Sequence, residues 1–242
     1  MSDTDKVYAE QMPHIVDFVF DDRVAAVFSD MIRRSVPGYE AIISLLGVIA
    51  ERTIQADSII YDLGCSLGAS MLSIQSRISD QSVRYVGVDN SAPMLETCRQ
   101  NLGAVMDSRQ FSLLCCDVRD VEIKNASLVI LNFTLQFLNQ ADRLSLMKRI
   151  YAGLNPAGAL VLSEKICFKD PAVASLQQSL HDQFKSANGY SELEISQKRT
   201  ALENVMVLDD GATHLERLRQ AGFSQVGQWF QAFNFCSFIA IK

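Results

Sequence analysis

A short glycine-containing segment, Asp62-Leu-Gly-Cys-Ser-Leu-Gly68, is the first part of the sequence that could support chemistry. It follows an apolar run and precedes a segment with helical spacing, so it predicts a turn from a strand into a helix. Small residues let the backbone approach a ligand closely, and the first turn of a helix offers unpaired N–H groups. By itself the segment also fits a plain tight turn, or a degraded dinucleotide-binding pattern in which Ala69 takes the third small position.

Three further polar residues come at the ends of apolar runs. Asp89 ends Val-Gly-Val-Asp, Asp117 follows Leu-Leu-Cys-Cys, and Asn132 ends Leu-Val-Ile-Leu-Asn. In open α/β sheets the carboxyl ends of the parallel strands share one edge, and ligands bind there. A carboxylate such as Asp89 can accept hydrogen bonds from both ribose hydroxyls, and Asp117 is predicted beside an adenine amino group. The sequence therefore predicts a nucleoside site at this edge.

The apolar runs alternate with helix-like segments, which predicts a parallel sheet covered on both faces. The five predicted strands of this sheet are residues 58–62, 83–89, 111–117, 128–132 and 158–163. Two more runs, 229–235 and 236–241, leave almost no room for a helix between them, so they must pair antiparallel. The predicted fold class is α/β, a Rossmann-like seven-stranded sheet with a reversed C-terminal antiparallel hairpin.

The remaining regions are predicted to be helical parts of one domain. The expected divisions are an N-terminal helical cap (1–56), a Rossmann core (57–165), a helical insertion (166–206), and the last helix with the hairpin (207–242). In the cap, an apolar stripe predicts a helix over the sheet edge; its members are Val24, Val27, Phe28, Met31 and Ile32. The insertion is predicted to hold one helix that stops near Asn188-Gly189 and a second that opens with the capping-box pattern Ser191-Glu-Leu-Glu194.

Arg199 is predicted on one face of that second helix together with Ile195, Leu202 and Met206. An arginine among apolar positions can reach the surface with its charged end or form a structural ion pair. It can also hold an anionic ligand, because the guanidinium fork donates two parallel hydrogen bonds to a carboxylate. The residue pattern leaves both interpretations open.

Composition argues against several classes of protein. The 242 residues are 48% hydrophobic, which is enough for a sizeable core. The net charge of −6 argues against direct nucleic-acid binding. We find neither a signal peptide nor an apolar run of roughly 18 residues, so a cytoplasmic location away from membranes is expected. The three histidines are far apart and the six cysteines lack CxxC pairing, so we expect no metal site and free buried thiols.

The order of these motifs resembles that of class I S-adenosylmethionine-dependent methyltransferases. The shared features are acidic-x-Gly-x-x-x-Gly, the ribose-binding acid, Cys-Asp-Val, and Gly-Leu-Asn-Pro-Ala-Gly before the fifth strand. The likeness covers residues 57–163 and the terminal hairpin, and it departs at Ser66, where many of these enzymes have glycine. A NAD-dependent dehydrogenase would share the first two motifs but needs neither Asp117 nor the reversed final strand.

Further segments extend the likeness to the carboxy-S-adenosyl-L-methionine synthase family over nearly the whole chain. They are Arg33-Arg-Ser-Val-Pro-Gly-Tyr39, Tyr61-Asp-Leu-Gly-Cys-Ser66, Leu131-Asn-Phe-Thr-Leu-Gln-Phe137, Ala187-Asn-Gly-Tyr-Ser-Glu-Leu-Glu194 and Gln197-Lys-Arg-Thr-Ala-Leu-Glu-Asn204. The resemblance implies a metal-free bacterial homodimer that converts S-adenosyl-L-methionine and prephenate to carboxy-S-adenosyl-L-methionine and phenylpyruvate. It also implies that a separate tRNA carboxymethyltransferase uses the product as carboxymethyl donor for 5-oxyacetyluridine at the tRNA wobble position.

The same resemblance implies a set of donor-binding residues. They are Tyr39, Gly64, Cys65, Ser66, Asp89, Asn90, Asp117, Val118, Asn132 and Arg199. Two of these are expected to be catalytic: Arg199 would hold the new carboxylate across a homodimer interface, and Tyr39 would cover the ligand. Tyr39 could instead be a packing aromatic in an N-terminal loop. Two other functions stay open, an ordinary small-molecule methyltransferase and a non-catalytic ligand-binding or scaffold protein.

Overall fold

The structure, a computed structural model, describes residues 4–242. Helices and strands alternate through most of this range, and the helices outside that alternation lie near the N-terminus and after the fifth strand. In chain order the elements are α1 (Asp22–Ser35), α2 (Tyr39–Thr53), β1 (Ile59–Leu63), α3 (Ala69–Gln75), β2 (Arg84–Asp89), α4 (Ala92–Gly103), β3 (Phe111–Cys115), β4 (Ala126–Asn132), a 3-10 turn (Leu135–Phe137), α5 (Gln140–Gly153), β5 (Leu154–Lys165), α6 (Pro171–Ala187), α7 (Glu192–Glu203), α8 (Gly211–Ala221), β6 (Gln225–Ala232) and β7 (Phe235–Ile241).

Within residues 4–242, seven strands form one sheet in the order β3-β2-β1-β4-β5-β7-β6. The first five are parallel, whereas β7 runs antiparallel to both β5 and β6. Helices α2, α3 and α4 cover one face of the sheet and α5 and α8 cover the other. Strand β4 in the middle is buried almost throughout, as expected for a strand with helices on both sides. The predicted α/β fold with its reversed hairpin is confirmed.

Some predicted strand boundaries are wrong. The first hairpin strand begins at Gln225 and ends at Ala232, and Phe235 belongs to the second strand. The chain turns at Phe233, whose φ of +51° is unusual for a residue other than glycine, so neither glycine nor proline marks the turn. Strand β3 ends at Cys115, which places Asp117 two residues beyond it.

The N-terminal region differs from the prediction at Tyr39. Helix α1 packs against α2, α4 and α6, and its buried residues share a cluster with Leu67 of the turn after β1, at the carboxyl edge of the sheet. Tyr39 is the first residue of α2 and is not in a loop. The residue before it, Gly38, has a left-handed conformation with φ of +78° and provides no side-chain cap.

The helical insertion has the two predicted helices, α6 and α7. Ser191 accepts a hydrogen bond from the Glu194 N–H, and the Glu194 carboxylate accepts one from the Ser191 N–H, so the predicted capping box is present. Helix α7 ends at Glu203, and Met206 therefore lies beyond the helix face on which it was predicted. None of the helices in residues 4–242 is both long enough and apolar enough to cross a membrane.

The cysteine side chains are free thiols, as predicted, but only half of them are buried. Cys65, Cys98 and Cys236 lie in the core, and Cys116 is partly exposed. Cys115 and Cys167 are exposed, so the prediction of buried thiols is wrong for these two. Cys115 is exposed because β3 forms an edge of the sheet.

Candidate active site

The turn after β1 forms a tight loop against the end of β4. Gly64 and Gly68 have φ values of +87° and +86°, and Ser66 also has a positive φ of +49°. A Cβ atom on Gly64 would lie 2.1 Å from Thr134 Oγ1, so this position requires glycine for space as well as for conformation. Ser66 occupies a conformation that glycine adopts more readily, which explains why the family pattern often has glycine there.

Asp89, at the end of β2, holds this loop. Its Oδ2 accepts a hydrogen bond from the Ser66 N–H at 2.9 Å, and its Oδ1 accepts one from the Ser91 N–H at 2.9 Å. Burial raises the pKa of Asp89 because desolvation outweighs these backbone hydrogen bonds. Each carboxylate oxygen retains a second lone pair, so Asp89 can still accept hydrogen bonds from ribose hydroxyls. That role stays a prediction.

Asp62 lies beneath the loop and is 1% exposed. Neither carboxylate oxygen has a hydrogen-bond partner among residues 4–242. Burial, with the charge of Asp89 added to it, raises the pKa of Asp62 to about 7, and the nearby Ser70 hydroxyl offsets only part of this effect. A buried carboxyl without a donor is costly unless a ligand supplies the donor.

Asn132, at the end of β4, provides a second unpaired acceptor. Its Nδ2 donates to Ser70 Oγ at 3.1 Å, but its buried Oδ1 has no partner within the described residues. Because β1 and β4 are neighbours, Asp62 and Asn132 lie at the same sheet edge. Together with Ser70 they form a buried group that is rich in acceptors, which suits a ligand with positively charged N–H donors such as an amino acid's ammonium group.

Two aromatic rings border this group. The Tyr39 and Phe133 ring centroids are 6.4 Å apart. Burial raises the pKa of the Tyr39 phenol, and the nearby charge of Asp62 raises it further, so the phenol is protonated at neutral pH. Phe133 has a φ of +60°, and its N–H donates to the Ser163 carbonyl at 2.7 Å. Strained residues of this kind cluster at functional sites.

Glu164, which sequence reasoning did not select, holds the loop after β4 in place. Its Oε1 accepts from the Leu135 N–H at 2.8 Å and its Oε2 accepts from the Gln136 N–H at 2.9 Å. Burial raises the pKa of Glu164 to about 8 despite these hydrogen bonds. By fixing this loop, Glu164 places Thr134 against the glycine turn. The sequence signal was a charged pair, Glu164-Lys165, directly after an apolar strand.

Asp117 is paired within the chain. Arg119 donates to it from Nε at 3.0 Å and from Nη2 at 2.8 Å, and the same guanidinium contacts Asp142 at 2.6 Å. The Arg119 hydrogen bonds lower the pKa of Asp117 below its usual range. An adenine amino group would have to share these carboxylate oxygens, so the adenine contact stays a prediction. The neighbouring Val118 is buried and offers an apolar surface there.

Asn90 and Cys65 complete the predicted set around the turn. Asn90 is exposed and follows directly after Asp89, at the open side of the edge. Cys65 is 4% exposed, and its N–H and that of Gly64 both donate to the Val88 carbonyl, at 2.9 and 2.7 Å. Cys65 therefore fixes the turn through its backbone.

Arg199, like Asp117, has an ion-pair partner within the chain. On α7 it donates a hydrogen bond to Asp182 of α6, and its side chain is 44% exposed. Lys185 Nζ lies 3.7 Å from the same carboxylate. A role for Arg199 across a homodimer interface stays a prediction.

Known proteins with similar sequences show the family of this chain. A family model described as a methyltransferase domain matches residues 60–158. The carboxy-S-adenosyl-L-methionine synthase of Actinobacillus pleuropneumoniae serotype 7 (strain AP76) is 55% identical over 238 residues, which cover 98% of this chain and 99% of that protein. The carboxy-S-adenosyl-L-methionine synthase of Shewanella oneidensis is 56% identical over 238 residues, which cover 98% of this chain and 98% of that protein. The chain belongs to the carboxy-S-adenosyl-L-methionine synthase family.

Solved structures support the fold. An O-methyltransferase family protein from Burkholderia thailandensis is 19% identical with a TM-score of 0.65; the match covers 92% of this chain and 60% of that one. The predicted methyltransferase fold, and the prediction of an enzyme of the carboxy-S-adenosyl-L-methionine synthase family that uses S-adenosyl-L-methionine, are confirmed. The ordinary small-molecule methyltransferase is the less supported alternative. In residues 4–242 no group of three or more His, Cys, Asp and Glu side chains could hold a metal ion.

Proposed function

We propose that this member of the carboxy-S-adenosyl-L-methionine synthase family converts S-adenosyl-L-methionine and prephenate to carboxy-S-adenosyl-L-methionine and phenylpyruvate. The observation that supports this most directly is the group of unpaired acceptors on Asp62 and Asn132 beside the glycine turn. In a chain with full-length likeness to such synthases, these acceptors fit the ammonium group of the methionine part of the nucleoside.

The reaction balances without a metal or an external oxidant. One C–H bond of the sulfonium methyl group breaks, and a C–C bond forms between that carbon and the carbon dioxide released by prephenate. Prephenate loses this carboxyl group and its ring hydroxyl, and its ring becomes aromatic. The hydroxyl leaves with the methyl proton as water, so the products are the carboxylated nucleoside, phenylpyruvate and water.

In this reaction the residues of the chain bind and orient the nucleoside, and they exclude water from the sulfonium methyl group. Asp89 would accept from the ribose, and Asp62 and Asn132 would accept from the ammonium group. Tyr39 and Phe133 would shield the methyl group, since carbon dioxide must react there before it escapes or meets water. Arg199 would hold the new carboxylate through its guanidinium fork.

A homodimer fits the surface near Arg199. Val173 and Leu176 on α6 and Leu193 on α7 are large apolar side chains that are 38%, 57% and 39% exposed. Exposed apolar residues on neighbouring helices are typical of a protein interface. We also propose a cytoplasmic location and use of the product by a separate tRNA carboxymethyltransferase, and the net charge of −6 agrees with an enzyme that does not itself bind tRNA.

The experiment that tests this function incubates the purified protein with methyl-labelled S-adenosyl-L-methionine, with and without prephenate. We expect a labelled nucleoside that is heavier by one carbon dioxide only when prephenate is present, together with phenylpyruvate. Asp89→Ala should abolish product formation, and the exposed Asp107→Ala should leave it unchanged. Label that leaves the nucleoside as a transferred methyl group would support an ordinary methyltransferase and reject the proposal.

A further inference from the structure

A cluster of cations lies around the Arg199 side chain. Lys165 ends β5, Lys185 is on α6, and Arg199 is on α7. The carboxylate in their midst is Asp182, which is 3.7 Å from Lys185 Nζ and accepts a hydrogen bond from Arg199. Arg199 and Lys185 thus share one carboxylate within the described residues, and Lys185, which is only 7% exposed, is also close enough to Lys165 for the two charges to repel each other.

The neighbouring charged groups do not neutralise this excess. Lys198 is occupied by Asp5, 3.6 Å away, and by the Ser35 hydroxyl at 2.9 Å. Burial, with the charge of Lys185 added to it, lowers the pKa of His181 to about 3, so the imidazole is neutral. Burial, and then repulsion by Lys165, lowers the pKa of Lys185 to about 8. Buried cations are costly without a partner, so an anionic ligand would stabilise this arrangement.

The cluster lies at the sheet edge that carries the nucleoside-binding residues. In the β4–β5 pairing Asn132 is opposite Ser163, and Lys165 follows two residues later on the same face of the strand. Lys165 and Asn132 therefore belong to one side of the sheet and to its carboxyl edge.

A row of aromatic rings connects the two places. The Tyr39 centroid is 6.4 Å from that of Phe133, and the Phe133 centroid is 5.9 Å from that of Phe235. Phe235 is the residue of β7 that pairs with Lys165. The Phe235 ring also lies 5.0 Å from the ring of His181, one helical turn before Lys185 on α6. Buried aromatic rings thus lie between the acceptor group and the helix that carries Lys185.

We propose that Lys165 and Lys185, beside Arg199, bind the carboxylates of the dianionic second substrate, and that its ring lies along Phe133 and Phe235. This inference rests on the proposed function, in which the second substrate is a cyclic dicarboxylate. About two uncompensated positive charges match a dianion, and an apolar wall matches a ring that becomes aromatic. A lysine binds a carboxylate as a point charge and does not require the fixed geometry of a guanidinium fork.

The test measures binding of prephenate by calorimetry with S-adenosyl-L-methionine present. Lys165→Gln and Lys185→Gln should each weaken prephenate binding by about 10- to 100-fold, the range for a lost charged hydrogen bond. Their affinity for S-adenosyl-L-methionine alone should stay within about twofold. Lys165→Arg should recover part of the binding because it restores the charge.

The matched control is Lys169→Gln, in which the replaced lysine side chain is 84% exposed. Thermal unfolding checks that each variant is folded.

Several outcomes would overturn the inference. They are unchanged prephenate affinity in both glutamine variants, an equal loss of S-adenosyl-L-methionine affinity, and a wild-type protein that does not bind prephenate at all. The proposed function is judged separately by the mass of the nucleoside product. A wild-type protein that binds prephenate through these lysines but forms no carboxylated nucleoside would support this binding site and reject the proposed reaction.

Discussion

Replacing Asp62 with asparagine is expected to stabilise the ligand-free protein near neutral pH and to weaken binding of S-adenosyl-L-methionine. Asp62 is 1% exposed, and its oxygens lack hydrogen-bond donors within residues 4–242. The ionised carboxylate is therefore unfavourable in the folded protein until a positively charged ligand arrives. Asparagine has nearly the same shape but carries no charge. It therefore removes the cost of burying a charged carboxylate, and it also removes the attraction between that carboxylate and a positively charged ligand.

The magnitude follows from the pKa of Asp62, which is 3.8 ordinarily and about 7 in the folded protein. Because the folded pKa is raised, the penalty is absent below the lower value, grows as the pH rises, and is complete above the higher one. The full penalty is about 4 kcal/mol, of which about 3 kcal/mol develops between about pH 5 and pH 8. An unpaired asparagine amide costs about 1–3 kcal/mol, so Asp62→Asn should gain about 1–3 kcal/mol at about pH 8.

The assay is urea or thermal unfolding of the ligand-free wild type and Asp62→Asn at about pH 5 and about pH 8, where each kcal/mol shifts Tm by about 2–4 °C. The advantage of the variant should shrink by about 3 kcal/mol at the lower pH. Asp107→Asn serves as a control of opposite sign, because hydrogen bonds from Arg109 lower the pKa of that exposed carboxyl to about 2. The stability it provides is present above the ordinary pKa and is lost as the pH falls, so its removal should not stabilise the protein.

A variant that is less stable than wild type at the higher pH would contradict this reasoning, as would an advantage that does not depend on pH. Either result would mean that Asp62 already has a partner in the free protein. Binding gives the complementary measurement: calorimetry should show S-adenosyl-L-methionine affinity reduced by about 10- to 100-fold. Unchanged affinity would remove Asp62 from the ligand site.

Three further substitutions test the predicted site residues. Arg199→Ala should weaken carboxy-S-adenosyl-L-methionine by more than about tenfold in calorimetry and leave S-adenosyl-L-methionine within about twofold; equal losses would reject its role with the new carboxylate. Tyr39→Phe should reduce turnover several-fold with little change in Tm if the phenol covers the ligand, whereas unchanged turnover and affinity would indicate simple packing. Gly64→Ala should cost about 1–3 kcal/mol in unfolding and impair nucleoside binding, since its Cβ would lie 2.1 Å from Thr134 Oγ1. Gly103→Ala, with nothing within 4 Å of its Cβ, is the matched control and should be close to neutral.

The strand-end residues could be predicted from the sequence because each follows an apolar run that is long enough for only one strand. Asp89 and Asn132 end β2 and β4 as expected, and the glycine turn follows β1. The parallel order of the core then brings them to one edge without any further information. This part of the site depends on local pattern and topology alone.

Other features depend on contacts between distant residues or on unusual backbone conformations. The sequence does not show that Tyr39 begins a helix, because α2 follows a glycine that provides no side-chain cap. It also does not show the position of the hairpin turn, because a phenylalanine, Phe233, takes the positive φ there. The ion pair between Asp117 and Arg119 was not predicted, because the strand-end motif does not show which side chains lie beside the carboxylate. The lysines around Asp182 come from β5 and α6, and no spacing rule connects them.

The two ends of the site have opposite chemistry, and this bears on which reaction it serves. Asp62 and Asn132 supply buried acceptors, which suit a cationic nucleoside, whereas Lys165 and Lys185 supply cations, which suit an anion. Methyl transfer to a neutral acceptor needs only the first end. Carboxyl transfer from a dianion to a sulfonium methyl group needs both, with an apolar space between them from which water is excluded. The aromatic rings from Tyr39 to Phe235 lie between the two ends, an arrangement that agrees with the proposed carboxyl transfer.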